Sequence, residues 1–398
     1  MAERVEAAIN ADLLSWAREE ARLGIAQAAK KLCVKPERLG EWERGTKRPT
    51  ITQLRKIAAL YHRPIAVFYL DARPTTFRPM HDYRRLPGEV AGEESPVLHL
   101  QVRRAYERRD VALELLSALG EPPPEFRLAA SLGESPETVA ARVRAFLNVS
   151  LETQGSWKND REAFNAWRGA FESREVLVFQ AVKVAVKEAR GFSISETPLP
   201  VLIVNRKDSL RGRIFTLFHE FAHVLLRDGG LCDLEEDGQR DHKDEAIEVF
   251  CNAVAAAALV PRSALLDHAV IWKHGAGRAA WSDDDLLILA RAFNVSTEAI
   301  LRRLLTLGRT TADFYRAKRE EFLREVTATQ KKKGRGLRPD QETLSTAGRL
   351  YVRLVLQGYY HERITSSDLA DYLSIRLNHL QKIERAVGDT APDTVSFL

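Results

Sequence analysis

Residues 219–223 read "HEFAH", inside the apolar run "RIFTLFHEFAHVLL". Residues four apart on an α-helix lie one above the other on the same face, so His219 and His223 can offer two imidazoles to one ion. Glu220, one step round the helix, stands near such an ion without having to bind it. From there it can take a proton from a water whose pKa the metal lowers to about 7. Two imidazoles do not complete a tetrahedral site, and a third protein ligand must come from another element. The best source is "DEAIEVFCNAVAAAALVP", where Glu245, Glu248 and Asn252 share a helical face and Ala246, Val249, Phe250 and Ala253 supply apolar surface. A carboxylate buried on an Ala-rich helix is costly unless it is paired or binds metal. Glu248 is therefore the expected ligand, with Asn252 and Glu245 as supporting groups behind it. Glu245 is also the runner-up ligand, because periodicity alone does not separate two glutamates one turn apart. The donor set suits zinc, with manganese as the alternative.

These residues need a scaffold. Residues 10–70 read as short, closely spaced helices, with Asn10 as an N-cap, Leu13, Leu14 and Ala17 on one face, Pro36 in a first turn and Thr50 opening a further helix. Prolines 74, 79, 87 and 96 mark a linker candidate. Helical patterns return in "VRRAYERRDVALELLSAL" and "SPETVAARVRAFLNV", and the β-branched runs "EVLVFQAVKV" and "LPVLIVN" read as strands of a small sheet. The "HEFAH" helix follows, then a polar loop around 228–243, then the helix that carries Glu248 and is stopped by Pro261. The expected class is mostly α, α+β. The domains fall at 1–72, a linker at 73–100, a metal-site domain at 101–330 and a helical C-terminal domain at 331–398. No internal repeat is evident.

The bulk numbers agree with a multidomain globular protein. The chain has 398 residues, 45% of them hydrophobic and 29% charged, with a net charge of +5. Residues 1–110 hold 21 Lys and Arg against 15 Asp and Glu, while the remainder is close to neutral, so the front end is the part expected to meet an anionic partner. Three cysteines, Cys33, Cys232 and Cys251, give no readable disulfide framework and fit a reducing compartment. No signal-peptide core and no membrane-length apolar run is present, which points to the cytoplasm and away from a membrane.

From "RGRIFTLFHEFAHVLL" through "EAIEVFCNAVAAAALVPRSAL" to "LARAFNVSTEAILRRLLTLG" the chain resembles the ImmA/IrrE family of metallopeptidases. The resemblance places Glu248 on the family's ligand position, Asn252 on its Asn and Pro261 on its stop, with Cys251 for the usual Ala and Val254 for the usual Phe. It implies a zincin-like fold in which an edge strand holds the substrate by strand addition, and "LPVLIVN" is the candidate for that strand. Tyr315 and His274 are the candidates for polarising the reaction intermediate.

Residues 13–70 resemble the Xre/Cro-type helix-turn-helix, a five-helix domain, most clearly in "WERGTKRPT". On that resemblance the second helix is 25–32 and the recognition helix 36–44, with Lys35, Glu37, Arg38, Glu41 and Arg44 facing the major groove. Thr46, Lys47 and Arg48 are suited to phosphates. Ile25 stands where Gln often opens the second helix, Cys33 where the turn Gly would be, and Gly40 inside the recognition helix. The C-terminal stretch "GRLYVRLVLQGYYHERITSSDLADYLSIRLNHLQKIE" also has a helix–turn–helix rhythm, with docking against the peptidase core or a partner as its expected role. The sequence thus suggests a zinc endopeptidase joined to a DNA-binding domain, cleaving a repressor or similar regulator in a stress or mobile-element response and binding DNA as a homodimer. The alternative is a non-proteolytic transcription regulator or antitoxin whose metal is structural or sensory.

Overall fold

The computed structural model describes residues 6–74, 81–82, 95–122, 125–227, 230–232, 242–274, 279–328 and 337–388. The chain divides into two compact units, Met1–Pro79 with Val90–Arg104, and Met80–Glu89 with Ala105–Leu398.

In the first unit α1 (Ala11–Glu20) starts at Asn10, whose side chain accepts from the Asp12 N–H. It is followed by α2 (Ile25–Leu32), α3 (Pro36–Glu43, Pro at its first position) and α4 (Ile51–Tyr61), which is opened by a Thr50–Gln53 capping box. A 3₁₀ turn, Ile65–Tyr69, follows α4 and adds Phe68 to the core. Leu13, Leu14, Ala17, Leu39, Trp42, Ile57, Tyr61 and Phe68 form a core of their own, with Trp42 only 1% exposed. α5 (Pro96–Leu119) begins inside the span read as linker, and its first two turns belong to this unit. There Arg103 Nη2 donates to the His62 carbonyl at 2.6 Å and His99 Nε2 lies 3.7 Å from Glu20.

In the second unit α6 (Pro136–Leu147), α7 (Leu151–Ser156) and α8 (Asp160–Glu172) precede the sheet's three longest strands. The strands are β1 (His81–Asp82), β2 (Leu177–Ala181), β3 (Gly191–Ile194), β4 (Val201–Asn205) and β5 (Gly230–Cys232), in the order β1-β5-β3-β4-β2. β4 runs parallel to β2 and antiparallel to β3; β5 is antiparallel to β3 and parallel to β1. Every residue of β2, β3 and β4 is buried, which explains why they are largely apolar and do not alternate with exposed polar residues. "LPVLIVN" is therefore not an edge: β4 has a strand on each side, so its backbone groups are already used. β3, "GFSI", is too short for the alternation that marks a strand.

α9 (Leu210–Leu225) packs on β3 and β4, on α8 and on α10 (His242–Leu259). The chain continues through α11 (Arg262–Leu266), α12 (Ala269–His274), α13 (Asp283–Ala292), α14 (Thr297–Thr306) and α15 (Ala312–Ala328). One core joins Trp167, Phe171, Val178, Leu202, Phe218, Phe221, Val254, Leu289 and Leu304 across these elements. α16 (Pro339–Ala347), α17 (Arg349–Tyr360), α18 (Ser366–Leu373) and α19 (Leu380–Gly388) complete the unit, with α16 against β2. The "KKKGRG" run lies outside the described residues. Among the described residues no helix is long and apolar enough to cross a membrane.

Candidate metal centre

Ser209 caps α9 by accepting from the Gly212 N–H, and eleven of the residues from Ile214 to Leu225 are buried. A helix that is apolar almost all round belongs in a core, and polar side chains placed on it need partners. His219 and His223 are both 0% exposed, Glu220 is 1% and Glu248, from α10, is 2%. The Nε2 atoms of His219 and His223 stand 3.2 Å apart. Each is 3.4 Å from a different oxygen of Glu248. One donor atom from each of these three residues lies within 4.8 Å of the others. Two imidazole nitrogens and a carboxylate facing one point in a water-poor core are the donor set that a zinc-type ion takes.

Asn252, one turn beyond Glu248, places Oδ1 3.0 Å from His219 Nδ1. An amide oxygen accepts, so Nδ1 carries the proton and Nε2 keeps its lone pair for the centre. Above Glu220 passes β3. A Cβ added at Gly191 would sit 3.0 Å from Glu220 Oε1, 2.4 Å from Thr216 Cγ2 and 2.7 Å from the Ile203 carbonyl. Only a residue without a side chain lets the strand run this close to the carboxylate.

The structure brings His219, His223, Glu248 and Asn252 together and sets Glu220 beside them, beneath β3. It does not bring Glu245, which is exposed at the start of α10 and stays outside the cluster. Ala246 is also exposed and Val249 is 56% exposed, so the buried stripe runs through Ile247, Glu248, Cys251, Asn252 and Ala255. His274 is stacked on Trp281 with Nε2 2.7 Å from the Ala280 carbonyl. Tyr315 packs in the main core with Arg302 over its ring. Gly191 was missed, and a lone glycine in "RGFSIS" gives no chemical signal that would have found it.

In the first unit Lys35, Glu37, Arg44, Thr46, Lys47 and Arg48 are exposed along α3 and the loop after it, while Arg38 and Glu41 are half-buried. Glu41 accepts from Arg38 at 3.2 Å and from Lys47 at 2.8 Å, and these two cations hold its carboxyl below the usual range. Cys33 takes the left-handed conformation at φ 57°, at the turn position that favours glycine.

Fold and donor set together define a metallopeptidase-type domain behind a helix-turn-helix. Residues 173–305 match the family described as IrrE N-terminal-like domain, Peptidase_M78, and residues 14–68 match the Helix-turn-helix family HTH_3. The chain thus carries an ImmA/IrrE-type domain with an N-terminal helix-turn-helix. It is similar to the radiation response metalloprotease IrrE of Deinococcus deserti, with 35% identity over 106 residues, which cover 26% of this chain and 35% of that protein. The chain spans about a third of the length of this curated relative. No solved structure matches it.

Proposed function

We propose that the protein is a zinc-dependent endopeptidase coupled to a DNA-binding domain, working in the cytoplasm on a protein substrate of the repressor type. The observation that carries this reading is the convergence of three buried donor atoms, from His219, His223 and Glu248, beside Glu220. His219, His223 and Glu248 would hold a divalent ion, which when bound would supply an acidified water and a Lewis acid for a peptide carbonyl. Glu220 takes the proton released there and passes it to the leaving amine, with burial keeping that proton from bulk solvent. Asn252 fixes the His219 tautomer, and β3, the strand passing over Glu220, bounds the space in which a peptide would lie.

Lys35, Glu37, Arg38, Glu41, Arg44, Thr46, Lys47 and Arg48 are assigned to DNA, with the phosphate contacts on the exposed Lys47 and Arg48. Such a module brings the peptidase to an operator occupied by its substrate. The relative's name, radiation response metalloprotease, supports a stress-triggered role.

Glu220→Gln tests the chemistry. The substituted protein keeps its metal, read by elemental analysis, and loses cleavage of a co-encoded Xre-type repressor by about 10² to 10⁴-fold. Undiminished cutting removes Glu220 from the mechanism. A protein that holds metal and cuts nothing in either form is the transcription regulator instead.

A further inference from the structure

The α18–α19 segment repeats the turn of the N-terminal module residue for residue. α2 and α18 each have eight residues, entered from an extended N-cap, Gly24 at ψ 150° and Thr365 at ψ 167°. Each ends on a left-handed residue, Cys33 at φ 57°, ψ 42° and Ser374 at φ 53°, ψ 47°. The next residue closes the turn in the same way, Val34 N–H to the Ala29 carbonyl at 3.0 Å and Ile375 N–H to the Ala370 carbonyl at 2.9 Å. One extended residue later, Lys35 or Arg376, a second helix starts at Pro36 or at Leu377; the latter opens as a 3₁₀ turn, Leu377–His379, before α19.

Three packing positions coincide at the same spacing, Ala28 with Leu369, Leu32 with Leu373 and Trp42 with Ile383, all buried, while the buried Ala29 and Leu39 correspond to the half-buried Ala370 and Leu380. The preceding helices also correspond. α1 and α17 are each followed by a left-handed residue, Arg22 at φ 52° and Glu362 at φ 56°, and the second connection is one residue longer. The sequences differ at nearly every surface position, so beyond the shared helix–turn–helix rhythm the correspondence lies in backbone and burial.

The outer face differs in charge. Glu37 and Glu41 of α3 become Asn378 and Lys382, while Lys35 and Arg44 become Arg376 and Arg385. Arg376, Asn378, Gln381, Lys382 and Arg385 are all exposed. The one carboxylate in 376–388, Glu384, is half-buried and accepts from the Tyr360 hydroxyl. On α18, Asp368 is committed to the Thr365 capping box, and Asp371 is exposed. Docking on the peptidase core falls to α16 and α17 and leaves the outer face of 376–388 exposed: α16 packs on β2, α17 on β2 and α8, and Arg168 Nη1 holds the Leu344 and Ser345 carbonyls at 3.1 and 2.9 Å.

We infer that residues 349–388 form a second helix-turn-helix whose second helix, Leu377–Gly388, binds double-stranded DNA through Arg376, Lys382 and Arg385. A basic helix presented after a tight left-handed turn, with amide and guanidinium groups outward, is the arrangement that enters a major groove and grips the flanking phosphates.

The test uses the full chain and a fluorescent mixed-sequence duplex, followed by anisotropy from about 50 to 200 mM salt. Three forms are compared with the unsubstituted protein: R44Q/K47Q/R48Q, R376Q/K382Q/R385Q, and both sets together. The N-terminal variant retains duplex binding, and the combined variant loses it. The C-terminal variant alone flattens the salt dependence by about one unit of slope for each phosphate contact removed. If the N-terminal variant binds no DNA, or if it and the combined variant bind alike, the second site is overturned. Unchanged metal content and far-ultraviolet circular dichroism exclude misfolding. Arg376→Lys and the single Lys382→Gln, which keep most of the surface, give partial losses if the site is real.

Discussion

At the scale of the residue, the chemistry depends on which ring nitrogen of His219 carries the proton. Asn252→Ala removes the acceptor that holds it on Nδ1. The expected outcome is a metal affinity about 10 to 100-fold weaker, with the fold intact, read by competition against a chelator of known affinity. An unchanged affinity means that packing alone orients the ring. The histidine pair was legible because four-residue spacing on a helix has one geometric meaning, and Glu248 followed from the cost of burying a carboxylate. Glu245 was misjudged because three-residue spacing leaves the phase of a broad stripe undetermined. Only the packing of α10 on α9, which turns Ile247, Glu248 and Cys251 inward, settles it.

At the scale of the element, the joint between α8, β2 and the C-terminal helices is built on a buried ion pair. Arg168 Nε lies 3.2 Å from Glu172, and burial pushes the Glu172 carboxyl up and the Arg168 guanidinium down. Glu172 Oε1 and Oε2 each accept the Arg349 N–H at 3.2 Å, at the start of α17. Gly348 turns the chain there at φ 80°, where an added Cβ would stand 2.5 Å from Glu172 Oε1 and 2.7 Å from the Val178 carbonyl. Gly348→Ala therefore destabilises the second unit by about 1–3 kcal/mol and raises hydrogen exchange in α16 and α17. A urea midpoint identical to that of the parent contradicts the clamp. In sequence Arg168 and Glu172 look like an ordinary surface pair, since four-residue spacing does not say what covers it. The order of the strands was illegible for a similar reason. β4 pairs with β2 and with β3, both of which precede it in the chain, and its apolar run fits an edge or a centre equally well.

At the scale of the whole molecule, two of the hydrophobic cores among the described residues are separate, one built from residues between Ala7 and Phe68 and one from residues between Phe126 and Tyr315. The candidate donors His219, His223 and Glu248 stand on α9 and α10, which pack in the second. Stripping metal with a chelator is expected to lower only the unfolding transition of that core, because a ligand stabilises the unit that binds it. The shift reaches about 4 kcal/mol where free metal stands at a thousand times its dissociation constant. Fluorescence from a chain that keeps only Trp16 and Trp42 reports the other transition, which should not move. A single transition that shifts as one body contradicts separate cores. The division into a DNA-type front and a metal-site body was readable from motifs. The C-terminal helix–turn–helix rhythm was readable too, but its likeness to the first module was not, because that likeness lies in dihedral angles and burial.

Gly191 leaves one last consequence. Alanine scanning normally subtracts, trimming each side chain back to a stub and asking what was lost. At this position it adds matter, driving a methyl group into the small gap between a strand and a carboxylate. The centre can therefore be damaged by gaining a single carbon, at a place where the usual inventory of reactive groups has nothing to count.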